Sequence, residues 1–300
     1  TTGFYNVAVG TDALVTNTTA NNNTAVGYAA LKLNITGTGN SAVGASAGAA
    51  LTTGSSNTAL GHLALDGTDD GAGNTAIGKQ ALSENCGDNN TAVGYLAGLN
   101  TTGSVNTFVG KSAGQGVTSG TGNTLIGALA GDAVTNASDN TAVGYQALST
   151  STTAANNTAV GTSALKLNTG IQNTAVGRGA LTNQALAQDN TAVGYNAGNS
   201  VTTGALNTFI GSFAGDGTDD GNNCVAIGYA ALSANCGSNN SACGVSSLTV
   251  ATGAGNTALG NLAGYAVSSG GNNLLLGVDA GRTGSPGGNI TTGSNEIVLG

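Results

Sequence analysis

A five-residue phrase, asparagine, threonine, alanine, an aliphatic residue and glycine, returns every 16 or 17 residues along this chain. Asn23-Thr24-Ala25-Val26-Gly27 is one copy and Asn140-Thr141-Ala142-Val143-Gly144 another. Its closing glycines run from Gly10, Gly27 and Gly44 to Gly260 and Gly277, and a longer step of 23 leads to Gly300. A period this short, kept through 300 residues, signals a solenoid, in which each repeat touches mainly its neighbours and the core is continuous along the stack. The density of Gly, Asn and Thr excludes helices almost everywhere. The expected fold is all-β: a parallel β-roll or β-solenoid of about 18 coils of 16–17 residues. Residues 1–300 show no break in composition and a single proline, Pro286, so they read as one repeat domain.

The columns of the phrase have chemical identities. Alternation along a strand puts Thr24 and Val26 on one face and Ala25 on the other. Val26 is expected in the coil core, Ala25 at a contact with another chain, and Asn23 in a stacked amide ladder. Phe108, Leu125 and Phe209, which replace the alanine, would fill wider places along the axis between chains. Three residues after the glycine an alanine recurs, followed by Leu or Gly, as in Ala30-Leu31 and Ala47-Gly48. Seven residues before the glycine stands a second small-residue column, such as Gly37 and Gly54, suited to positive φ or close backbone approach. One coil thus reads as two short strands joined by two corners.

Both faces of the repeated strand are apolar, yet a coil this small has one interior. Another copy of the chain is the simplest cover for the second face, and a homotrimer about the long axis is expected. Other partners are limited by charge. The net charge is −8 and the six basic residues are scattered, so no patch exists to neutralise nucleic-acid phosphates or anionic lipid. No apolar run reaches the roughly 20 residues of a membrane helix. The chain has no Met and begins Thr1-Thr2-Gly3, so a processed piece of a longer fibre is expected.

Few residues suggest chemistry. His62 is the only histidine and no nucleophile, acid or metal-type spacing is arranged around it. The expectation is that the chain is no enzyme and takes no cofactor beyond calcium. The calcium candidates are Asp66, Asp69 and Asp70 in one glycine-rich loop and Asp216, Asp219 and Asp220 in its repeat, since Ca²⁺ takes six to eight oxygens. An exposed Asp/Gly turn is the competing reading. Binding candidates are the corner tyrosines Tyr28, Tyr95, Tyr145, Tyr195 and Tyr229, each just after a closing glycine. Tyr offers contact area and a hydroxyl. Cys86, Cys224, Cys236 and Cys243 read as small buried residues, with a Cys224–Cys243 or Cys236–Cys243 bridge as the alternative.

The phrases Asn74-Thr75-Ala76-Ile77-Gly78 and Cys224-Val225-Ala226-Ile227-Gly228-Tyr229-Ala230-Ala231-Leu232 resemble the head repeats of YadA-like trimeric autotransporter adhesins. Asn140-Thr141-Ala142-Val143-Gly144-Tyr145-Gln146-Ala147-Leu148 is similar to repeats of phage tail-fibre proteins, in which an intramolecular chaperone often follows. The ending Asn295-Glu296-Ile297-Val298-Leu299-Gly300 is similar to the sequence before such a chaperone. The coils here are longer than the adhesin's, and Thr mostly stands where the adhesin has Val. The resemblance implies a left-handed roll, trimerised along its axis. It also implies an extracellular role, on a virion tail fibre or a cell surface: a structural and adhesive segment whose variable corners attach to a glycan or protein receptor. The phrase is similar, too, to short repeats of plant ice-binding rolls. The alternatives are therefore an ice-binding solenoid using rows of Thr, and a polysaccharide-processing fibre.

Overall fold

The computed structural model describes residues 2–300. The chain divides into two compact units, Thr1–Ala155 and Asn156–Gly300, built on the same plan. Each coil contributes one three-residue strand. In the first unit these run from β1 (Val7–Val9) and β2 (Thr24–Val26) through β6 (Thr91–Val93), β7 (Thr107–Val109) and β8 (Thr124–Ile126) to β9 (Thr141–Val143). In the second they run from β10 (Thr158–Val160) through β13 (Thr208–Ile210), β14 (Val225–Ile227) and β15 (Ser241–Cys243) to β17 (Leu274–Leu276) and β18 (Ile297–Leu299). Within each unit successive strands pair in parallel and in register, like over like: Thr24 on Ser41, Ala25 on Ala42, Val26 on Val43. The fold is a parallel β-solenoid. No helix among the described residues is long and apolar enough to cross a membrane.

Among the described residues the second strand expected in each coil is absent. Its place is taken by turns, because the corner alternates into the left-handed region. Ala29 and Leu31 have φ of 55° and 47°, and the residues two and four after the other closing glycines do the same. Such a chain cannot run straight enough for a ladder. The turns still bond from coil to coil, with Leu31 N–H donating to Ala47 O at 3.0 Å and Leu33 N–H to Ala49 O at 3.1 Å.

The faces of the strand are also the reverse of the expectation. Ala25, Ala42, Ala76 and Ala92 are fully buried in the coil interior, while Thr24 and Val26 are half-buried and look outward. The reason is volume. The interior is filled from the corner by leucines such as Leu31, Leu65 and Leu148, all fully buried, and only a methyl fits opposite them. Phe108, Leu125 and Phe209 lie in the same interior, not between chains. Where they stand, the neighbouring corners are glycine. A Cβ on Gly98 or Gly114 would meet the Phe108 ring at 2.5 Å and 2.3 Å, and one on Gly131 would meet Leu125 at 2.6 Å. Gly48 leaves room instead for Leu51, which a Cβ there would meet at 3.1 Å. Most coils therefore hold one bulky apolar side chain from the strand or from the corner, at about 1.5–3 kcal/mol of burial apiece, while coils with both Ala and Gly there, such as Ala92 with Gly98, leave room for a neighbour's ring.

The amide ladder is as the sequence implies, and it does two jobs. Each Asn carbonyl accepts the backbone N–H of the next Asn, as Asn23 does from Asn40 at 2.8 Å. Each amide nitrogen reaches the corner carbonyl, as Asn23 does to Gly37 at 2.9 Å. The small column to which Gly37 belongs is needed for close approach rather than positive φ: a Cβ on Gly54 would lie 2.3 Å from Gly71 O. Asn90→Ala would orphan the Asn106 N–H, which it accepts at 3.0 Å, and would take from the Gly103 carbonyl the amide that donates to it at 2.9 Å, leaving that carbonyl only the Gly87 N–H at 3.2 Å. Buried groups left unpaired cost about 1–3 kcal/mol each. The expected loss is about 2–4 kcal/mol, read as a lower urea midpoint. An unchanged midpoint would show that water reaches the ladder.

Candidate functional site: an aromatic and arginine row on the corners

Every candidate tyrosine sits where the chain leaves the strand through its closing glycine, so its side chain is cast outward beside the same position of neighbouring coils. Tyr28 and Tyr145 are exposed and have no ring partner among the described residues. Tyr95 is exposed with the Lys79 ammonium 6.0 Å from its ring centre. Tyr195 and Tyr229 belong to a larger group. The Phe213 ring packs edge-on between them, 5.2 Å from Tyr195 at 79° and 5.9 Å from Tyr229 at 82°. Edge-to-face pairs of this kind contribute about 0.5–1.5 kcal/mol each beyond their burial. At the other end Arg178 lies 5.6 Å from the Tyr195 ring centre and donates to its hydroxyl at 3.2 Å.

The result is a row, Arg178, Tyr195, Phe213, Tyr229, laid along successive corners of one unit. A shallow depression of about 240 Å³ opens beside its cationic end, lined by Thr162, Ser163, Thr182, Asn196 and Asn199 together with Arg178, Gly179 and Tyr195. It presents hydroxyls, amides, a guanidinium and aromatic surface. Groups of these kinds can take a polar ring-bearing or acidic ligand by stacking and by hydrogen bonds. They include no nucleophile and base in contact. Sequence reasoning missed Phe213 because its column, two after the glycine, holds Ser46, Leu63, Gln80 and other unrelated residues. An aromatic side chain flanked by tyrosines one coil away on each side was the available signal.

The aspartates do not gather. The Asp66 carboxylate accepts from the Ser83 hydroxyl and the Asp69 carboxylate from Thr52, so neighbours on opposite sides of the coil draw them apart. Asp219 likewise takes the Thr202 hydroxyl. Burial pushes the Asp216 carboxyl up, against hydrogen bonds from the Ser233 hydroxyl and from the Asp216 and Gly217 backbone. Among the described residues no three His, Cys, Asp or Glu side chains converge as a metal site would need. Asp70 and Asp220 are exposed turn residues. Of the cysteines, Cys86, Cys224 and Cys236 are buried as expected. Cys243 is exposed on the outward strand face.

No family model, curated protein or solved structure matches the chain.

Proposed function

We propose that the chain is a structural and adhesive fibre segment, in which copies associate through the outward strand face and the corner row attaches to a surface receptor. The observation that carries this reading is the apolar stripe on that face. Val43, Leu60 and Ile126 in the first unit, and Val176, Ile210, Ile227 and Leu259 in the second, are exposed one above another at the closing column. An aliphatic stripe on the regular stack of each unit is a surface to be covered. A parallel homotrimer covers it with identical stripes in matching register. The resemblance to adhesin and tail-fibre repeats supports the same reading, along with an extracellular setting.

Native mass and sedimentation test it. The chain is expected to run as three copies, and Val109→Lys, Ile126→Lys and Val143→Lys together are expected to reduce it to one with its strand content unchanged. A wild-type monomer at micromolar concentration would overturn the assembly. Attachment is tested separately on a glycan array. Tyr195→Ala with Tyr229→Ala is expected to lower binding at least about tenfold while leaving the oligomer intact, since two aromatic contacts are worth about 1.4 kcal/mol or more.

The same face favours a second reading. Thr24, Thr75, Thr91 and their equivalents stand half-exposed beside the aliphatic column, at the ~4.8 Å spacing of paired strands. Regular rows of Thr and Val are a surface able to order water, and an ice-binding solenoid would use them uncovered. Thermal hysteresis by a monomeric chain would select this reading. A trimer without hysteresis would remove it.

A further inference from the structure

We propose that Cys224 and Cys236 form an intrachain disulfide that replaces a missing rung of the amide ladder. Cys224 stands where nearly every other coil has the ladder Asn. Its N–H still donates to Asn207 Oδ1 at 2.8 Å. Its own side chain, however, has no amide to reach the corner. In the neighbouring coil Asn207 Nδ2 donates to Gly221 O at 2.8 Å. In this coil the Cys224 sulfur lies 3.3 Å from the corresponding Gly237 O and 3.7 Å from the sulfur of Cys236, the residue just before it. The bond would thus tie the ladder to its corner at the place where the amide does so elsewhere.

The chain contains its own comparison. Residues 66–94 and 216–244 are close copies, with Asp66-Gly67-Thr68 matching Asp216-Gly217-Thr218 and Asn85-Cys86-Gly87 matching Asn235-Cys236-Gly237. In the first copy Cys86 faces the Thr68 hydroxyl at 3.2 Å, and the ladder is complete, Asn74 Nδ2 donating to Gly87 O at 2.9 Å. In the second copy Cys224 replaces that Asn. A second thiol appears beside the first just where the amide is lost.

The surroundings favour oxidation of the pair. A hydrogen bond between the two thiols pulls Cys236 down and pushes Cys224 up, while burial raises both. During folding, while the corner is open, one of the two thiolates attacks, here Cys236. With a small-molecule disulfide such as oxidised glutathione as oxidant, it forms a mixed disulfide and expels one glutathione thiolate. Cys224 sulfur, losing its proton, displaces the second. One protein S–S bond forms, two S–H bonds are lost, and the oxidant is reduced to two thiols. Side-chain rotation must bring the sulfurs to about 2.05 Å. Both thiols are buried in the folded coil, so the step belongs to folding, while the corner is still open. Cys243, exposed on the outward face, and Cys86, in the other unit, have no place in it.

The test is oxidative refolding of the full chain with oxidised and reduced glutathione, beside chain isolated without reductant. Thiols are then counted in denaturant and linked peptides mapped. Two of the four thiols are expected to be lost, with Cys224 joined to Cys236 and the chain lighter by two hydrogens. Reductant should restore all four. Asn74→Cys is expected to gain a second link, to Cys86. Four free thiols in both preparations, or a link through Cys243, would overturn the bond. A native bond with no link in Asn74→Cys would overturn its role as a substitute rung.

Discussion

Phe108→Ala should be the most damaging side-chain truncation in the Thr1–Ala155 unit, at about 3–5 kcal/mol. Its ring is fully buried and fills the space of two missing side chains, since the corners on either side are Gly98 and Gly114. Neither neighbour can collapse into the hole. Gly98 and Gly114 have nothing to offer, and the backbones are pinned by Gly98 N–H to Ala113 O and Gly114 N–H to Ala130 O, both at 2.9 Å. The decisive experiment is the rescue. Adding Gly114→Leu to Phe108→Ala converts the coil to the arrangement used at Ala25 with Leu31 and at Ala142 with Leu148. The new leucine would sit at φ near 60°, where Leu148 already sits at 55°. That conformation costs about 1–2 kcal/mol, against about 1.5–3 kcal/mol for burying the side chain. The double variant is therefore expected to recover part of the loss, about 1 kcal/mol. Gly114→Leu alone, with the ring in place, should be severely destabilising. Urea midpoints of the three variants read this directly. If Gly114→Leu harms both backgrounds equally, strand and corner do not share one space.

The repeat made the strand positions, the coil number and the amide ladder legible, because all three depend on residues that recur in fixed columns. It did not reveal which strand face is inside. Hydropathy favours Val26 over Ala25, and on a three-residue strand no longer pattern corrects that choice. The answer lies in residues a corner away. Leu31 occupies the interior so fully that only Ala25 fits opposite, and the outward face is then left to Thr24 and Val26. The pairing of Phe108, Leu125, Phe209 and Leu275 with glycine corners, against alanine with Leu31, Leu65 and Leu165, is present in the sequence and carries the same information. For the site, the columns led to Tyr195 and Tyr229 but not to Phe213 between them, because the left-handed corner position tolerates many residue types. In the aspartate loops, adjacency in sequence does not make the carboxylates converge. Asp66 and Asp69 instead turn toward Ser83 and Thr52 on different neighbouring coils.

Gly94→Ala is expected to fracture the stack between β6 and β7, costing about 2–6 kcal/mol. Two effects combine. Gly94 has φ of +144°, a conformation essentially confined to glycine that costs an L-residue about 1–3 kcal/mol. A Cβ there would also lie 2.4 Å from Gly110 O and 2.6 Å from Gly110 C. The obstacle is backbone, not the end of a flexible side chain, so the coils must separate, at about 1–3 kcal/mol for overpacking. Separation strains the bonds on both sides, Gly94 N–H to Ile77 O and Gly110 N–H to Val93 O, each at 2.8 Å. Close approach alone does not decide the outcome. Gly103 has an equally tight contact, 2.2 Å to Gly120 O, yet Ala20 and Ala137 occupy its column in other coils with their ladder hydrogen bonds intact. The positive φ is what the closing glycine adds. Gly39→Ala isolates the other half of the comparison. Gly39 has φ of +69° and nothing nearer than Ser56 Oγ at 3.9 Å, and its column holds Asn22, Ser56 and Val105 at φ near 60°. That variant should lose about 1 kcal/mol. Coil stability is shared mainly between neighbours, so Gly94→Ala should lose amide-exchange protection in a band over residues 91–110 and leave distant coils protected. Uniform loss along the unit would mean that it unfolds as one block. Equal costs for Gly94→Ala and Gly39→Ala would show that the closing glycines are not what sets the spacing of the stack.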